Sequence, residues 1–184
     1  MRTLRGVFWF AWLSVACAGG PSGPERIETS GTAITRENIS VVEFSLEGAS
    51  IQYPESHVAF GLAIAEEIAG ALRDRGHNAE AVPMGGAHSG HVVITGKVVR
   101  IDAGSRALRY WVGYGAGAAK VGVEGSVTKV DGGEAGTFRH ERWSGFGVFG
   151  GNSVSLVQKC VRAVGRDIAE MIDTGNYTRT VAAD

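Results

Sequence analysis

Five histidines, two cysteines and twenty-eight glycines are the residues of this 184-residue chain from which chemistry could be built. His88 and His91 form an HxxH pair at a glycine turn, and His57, His77 and His140 stand elsewhere. Zinc takes three or four ligands, and neither Cys nor a carboxylate adjoins the pair, so no metal is expected. Gly145, Gly147 and Gly150 match GxGxxG before a helix. A dinucleotide fingerprint also needs a parallel strand-turn-helix unit and an acidic residue on the next strand, and here the last helix is followed by no further strand. Lys120 follows Gly115 and Gly117 without the GK[ST] of a phosphate loop. Ser89 and Ser144 lie beside glycines but outside the GxSxG setting of an activated serine. Asp131 and Glu141 read as solvated ends of a hairpin. No cofactor, no nucleotide and no catalytic constellation is expected, so the chain does not read as an enzyme.

The cysteines carry different chemistry. Arg2 and Arg5 precede the apolar run Gly6 to Leu13, which passes into Leu13-Ser14-Val15-Ala16-Cys17. A basic stretch, a short apolar stretch and a small-residue cut site make an export signal, too short to span a bilayer comfortably. With Cys17 at the cut, the segment resembles a lipobox, the signal of bacterial lipoproteins. Leu13 stands four residues before the cysteine, where the commonest form has it three before, and Ser14 takes that place. The resemblance implies that Cys17 is acylated and becomes the mature amino terminus; an ordinary secretory signal would be cut elsewhere, for instance after Ala18. Without an Asp after Cys17, the sorting expected is to the outer membrane. Cys160 then has no disulfide partner, and it lies in the helical stripe Val157, Cys160, Val161, Val164, Ile168, where a free thiol fills the core.

Removing residues 1–16 leaves sixteen Lys and Arg against nineteen Asp and Glu, a charge of about −3. That balance gives no argument for nucleic acid or for anionic headgroups. Residues 17–37 are rich in Gly, Pro, Ser and Thr and read as a flexible tether. Residues 38–176 are one domain by length, and 177–184 form a tail.

Within the domain, Val41 to Leu46 is a first strand ending at Gly48. Pro54 and Ser56 open a helix with Val58, Leu62, Ala65, Ile68 and Leu72 on one face and Gly76 as its stop. Strands follow at 79–84, from Val92 to Val99, and through Val121 to Val127, and Asp131-Gly132-Gly133 turns into a strand over 137–143. A final helix begins at Asn152 or Ser153 and ends at Gly175. This order predicts an α+β fold, a mostly antiparallel sheet with two amphipathic helices packed on one face.

Two glycine and aromatic blocks interrupt the pattern, 104–120 and 143–153. The run GSRALRYWVGYGAGAAKVGVEGSV, the later GVFGGNS and the closing helix resemble a family of bacterial envelope lipoproteins catalogued as a domain of unknown function. The resemblance covers residues 40–175. More loosely, Val41-Glu43-Phe44, the long helix and Val93-Ile94-Thr95-Gly96 resemble the domain of periplasmic accessory lipoproteins, such as the curli-secretion lipoprotein and the activators of penicillin-binding proteins. These resemblances imply a protein held by acyl chains at the periplasmic face of the outer membrane, docking an envelope protein or polymer.

The partner-binding residues expected are Arg109, Tyr110, Trp111, Tyr114, Phe146 and Phe149, amphipathic contacts standing on a glycine backbone. Buried aromatics over glycine bulges are the competing account. In a strand, Tyr110, Val112 and Tyr114 share one face and Arg109, Trp111 and Gly113 the other. The Trp111 face is expected to be outermost, since Arg109 is costly to bury. A ligand or lipid pocket between helices and sheet is the alternative function. The lipidation reading is tested directly: Cys17→Ser should move the protein from the membrane to the soluble periplasmic fraction. Recovery of the unaltered protein as an unacylated species beginning elsewhere would refute it.

Overall fold

Asn38-Ile39-Ser40-Val41-Val42 alternates a polar residue with buried Ile39 and Val41, and so begins a sheet against a core. In the computed structural model, structure is described for residues 29–30, 33–34, 36–52, 59–105, 117–143 and 153–177. The strands are β1 (Thr29–Ser30), β2 (Asn38–Val42), β3 (Ser50–Gln52), β4 (Asn78–Val82), β5 (Val92–Asp102), β6 (Lys120–Lys129), β7 (Glu134–Trp143) and β8 (Asn176–Tyr177). Among the described residues the helices are α1 (Phe60–Asp74) and α2 (Ser153–Thr174).

Six strands form one sheet in the order β4-β2-β5-β6-β7, with β3 paired to the far end of β5. The longest ladders, β5 with β6 and β6 with β7, are antiparallel. The sheet as a whole is mixed, because β2 with β4, β2 with β5 and β3 with β5 are parallel. The parallel half follows from the connection. A 15-residue helix between β2 and β4 returns the chain to its starting end, which a tight turn does not do.

The middle of the central ladder has a specific device. Gly96 on β5 faces Gly125 on β6 in register, and Gly125 faces Phe138 on β7. A Cβ on Gly96 would run into the Phe44 ring, and one on Gly125 would meet the Phe138 ring and the Thr95 carbonyl. The two rings lie with centroids 6.4 Å apart in the space these glycines leave. Further along β5 the register shifts between Val98 and Arg100. The extra residue returns Ile101 to the buried side that Val98 occupies; in plain alternation the two would point oppositely.

Both helices bury one stripe. On α1 the stripe is Phe60, Ile64, Ile68 and Leu72, so Ile64 takes the buried place expected for Leu62, which is half-buried. On α2 the stripe is Val157, Val161, Val164, Ile168 and Ile172. Gly76 and Gly175 end the helices with φ of 90° and 67°, a region where L-residues are strained. α1 lies against β2 and β4, α2 against β6 and β7, and the helices touch each other.

The domain also begins earlier than its composition suggests. Ile34, within the expected tether, is buried in the core and its N–H donates to the Ile172 carbonyl at 3.1 Å. β1 pairs with β8, so a stretch before residue 38 is bound to the chain just after α2. One apolar residue in a polar run carries no periodicity, which is why the boundary was not readable.

Because the paired glycines admit the two rings, Gly96→Ala should destabilise the domain by about 1–3 kcal/mol, the usual range for overpacking. Ser126→Ala, on the other side of the sheet, should change stability by no more than about 0.5 kcal/mol. Urea denaturation of both variants checks the contrast.

Candidate functional site

The two glycine and aromatic segments leave from one rim of the sheet. Asp102 at the end of β5, Lys120 at the start of β6 and Trp143 at the end of β7 are aligned across three neighbouring strands. Segment 106–116 joins the first two of these strands, and segment 144–152 joins the third to α2. Their roots are therefore neighbours.

The first pair of roots is pressed tightly together. Gly104 has φ of 70°, and a Cβ there would collide with the Gly117 carbonyl. The Gly104 N–H donates to Asp102 Oδ1 at 2.7 Å, closing the turn out of β5. Glycine is needed at 104 both for the left-handed backbone and for the close approach.

At the third root, Trp143 is 45% exposed, too open for a core tryptophan. Lys120 Nζ lies 4.2 Å from the centroid of its ring, a cation–π contact. The indole Nε1–H donates to Glu141 Oε1 at 2.7 Å. Gly122, opposite Glu141 in register, leaves the space beside which the Glu141 and Arg100 side chains lie. The expected placing of Glu141 at the hairpin is thus corrected. It lies at the other end of β7 and holds the tryptophan, because ten residues of strand separate the two ends. Asp131 is at the hairpin, accepting from the Gly133 N–H at 3.0 Å.

Beneath the rim, α2 is tied to β7 through one carboxylate. Asp167 Oδ2 lies 2.8 Å from His140 Nε2 and accepts from Arg142 Nε at 2.6 Å, while Oδ1 accepts from Arg142 Nη2 at 3.2 Å. Burial pushes this carboxyl up, but the hydrogen bonds and charges of His140 and Arg142 outweigh it and hold it below the usual carboxylate range. Cys160, on the same side of α2, is buried with its Sγ 3.6 Å from the Ala119 carbonyl. Burial pushes its thiol up to about 11, against a smaller lowering by Arg142, so it stays protonated at neutral pH.

Of the residues expected to bind a partner, Arg109, Tyr110, Trp111, Tyr114, Phe146 and Phe149 lie outside the described residues, as does Cys17. His91 is exposed with Nδ1 3.7 Å from Glu37, and among the described residues no three His, Cys, Asp or Glu gather as a metal set. The pairing of Lys120 with Trp143 and the role of Asp167 are not among the sequence expectations. A signal existed for each. Arg139 and Glu141 alternate with Trp143 on the outward face, and Asp167 falls among the apolar residues of a helical stripe.

The lowered Asp167 acidity gives a signed pH dependence. Its contribution to stability is present above the unfolded carboxylate value of about 3.9 and is lost as pH falls through the lower folded value. Asp167→Asn should cost roughly 2 kcal/mol at pH 7, as expected for hydrogen bonds to a charged group. The gap between wild type and variant should narrow below about pH 4, read by thermal melts across pH.

Among the described residues no helix is long and apolar enough to cross a membrane. The fold is similar to that of protein XCC0632 from Xanthomonas campestris, with 14% identity over 83% of this chain and 94% of that one, at a TM-score of 0.51. A PelC dodecamer from Paraburkholderia phytofirmans matches at 19% identity, covering 81% and 94%, with a TM-score of 0.45. A protein named as a candidate lipoprotein from Caulobacter crescentus matches at 12%, covering 69% and 86%, with a TM-score of 0.35. No curated protein matches the chain by sequence. The model of a domain of unknown function, DUF4410, matches residues 30–148, more than half of the chain, and the chain belongs to that family.

Proposed function

We propose that this protein is a lipid-anchored component of the bacterial cell envelope, at the periplasmic face of the outer membrane, that docks an envelope protein or polymer without catalysis. The observation that carries the docking surface is the rim itself. An exposed tryptophan is held by Lys120 and Glu141 between the roots of two segments rich in aromatics. Tryptophan is prominent among the residues that dominate interface energies, because its large, rigid side chain buries much area at little entropic cost. Arg109, Tyr110, Trp111, Tyr114, Phe146 and Phe149 belong to the segments that spring from this rim, and would extend the contact. The anchor rests on Cys17 and the run before it. The space between helices and sheet is taken up by side chains such as Phe44, Ile64, Ile94 and Ile168, which favours a surface over an internal pocket.

A photoreactive aromatic side chain placed at position 143, keeping a ring beside Lys120, should in intact cells give a discrete adduct with an envelope component. One placed at Val130, exposed at the distant hairpin, should not. Lys120→Glu should reduce the adduct at 143 severalfold, and Trp143→Ala should change stability by less than about 1 kcal/mol. Equal labelling from both positions, or a core-like loss of stability in Trp143→Ala, would remove the proposed surface.

A further inference from the structure

The groove between the helices carries a charge that the chain as a whole does not. α1 and α2 approach closely at Gly165, where a Cβ would lie 2.8 Å from backbone and side chain of Glu67. Beside that approach opens a cavity of about 610 Å³. Among the described residues, Arg73 of α1 and Lys159, Arg162 and Arg166 of α2 line it, with Glu67 and Asp74 as the only acids. Small residues, Gly70 and Ala71, leave the space open. Residues 159, 162 and 166 are three and four apart, so they form one row along the helix, rising about 10 Å.

The acids of α2 do not neutralise those cations, for a definite reason. The three acids of α2 are all engaged elsewhere: Asp167 by His140 and Arg142, Glu170 by Arg75 at 3.8 Å, and Asp173 by His77 at 3.1 Å. Among the described residues, Arg73, Lys159, Arg162 and Arg166 make no ion pair within 4.0 Å. Like charges four apart, as in Arg162 and Arg166, repel one another in an empty helix face. Arg73 is also fixed in place: its Nη1 donates to the Ala79 carbonyl at 2.7 Å, and its Nη2 lies 3.8 Å from where a Gly70 Cβ would stand.

We propose that this groove is a binding site for a phosphate-bearing anion. Four cations against two acids leave the lining at +2, which a phosphate monoester or pyrophosphate dianion neutralises. Three of the four cations are guanidiniums, whose planar forks match phosphate oxygens two at a time. The groove is open to solvent, its four cations being exposed, so it leaves room for a larger group that carries the phosphate and extends out of it. A lipid headgroup and a soluble phosphoester share this chemistry. No glycine loop is involved, so the site is distinct from the phosphate loops that the sequence lacks, and it shares no residue with the rim.

The full chain, purified in a neutral detergent, is titrated with inorganic pyrophosphate by calorimetry at low salt. Saturable binding is expected, weakened at least about tenfold by the double substitution Arg162→Gln and Arg166→Gln, which removes charge-assisted bonds from an exposed face. Lys97→Gln with Arg139→Gln loses the same charge on the sheet and should bind as wild type. Phosphatidic acid, whose headgroup is a phosphate monoester, is added to the micelles, with phosphatidylcholine as control, and identifies the source. If it displaces pyrophosphate, the site takes a lipid headgroup; if it does not, the site takes a soluble phosphoester. Absence of saturable binding to either probe, or an equal loss in both double variants, overturns the proposal. Thermal melts of the variants separate lost binding from lost folding.

Discussion

Two glycines that face each other across the central ladder set the shape of this domain. With Gly96 opposite Gly125, the middle of the sheet has no side chain on its inner surface, and the rings of Phe44 and Phe138 occupy the space. Phe44 follows β2, in the parallel half of the sheet, while Phe138 lies on β7, in the antiparallel half. Their contact therefore ties the two halves through one layer of core. A strand pair with ordinary residues at these positions would hold the rings away and separate the layers that the helices cover. Close packing leaves little freedom to adjust.

The second organising element is α2, each of whose faces has a different task. One face completes the apolar core. On its flanks, Asp167 reaches β7, and Asp173 reaches His77 beyond the end of α1. His77 is buried, and its Nδ1 has no hydrogen-bond partner among the described residues, so the Asp173 contact is what secures the ring. Using its acids in this way leaves the remaining face of α2 basic. A helix whose charges balance in sequence thus presents an unbalanced face in the fold.

The rim and the groove divide the surface between two kinds of contact. At the rim, Lys120 and Glu141 orient an indole, and their charges serve the ring they hold. In the groove, the charges are left to whatever enters. The carboxylate of Asp167 links the two regions mechanically, since it holds the helix bearing the cations against the strand that ends in Trp143.

Much of the domain was legible in the sequence because its signals are local. Alternation in Val92 to Val99, the turn at Asp131-Gly132-Gly133, the stripe of Val157 to Ile172 and the stops at Gly76 and Gly175 each depend on a few consecutive residues. Burial of Cys160 followed from the same stripe. What stayed hidden depends on residues distant in sequence. The parallel pairing of β2 with β4 and β5, the bulge that turns Ile101 inward, and the meeting of Gly96 with Gly125 are matters of register between strands. The contacts of Asp167 with His140 and Arg142 and of Lys120 with Trp143, and the basic groove, arise only when separate elements are brought side by side. Periodicity reveals which face of an element seeks the core; only packing decides which element it meets there and which charges are left over.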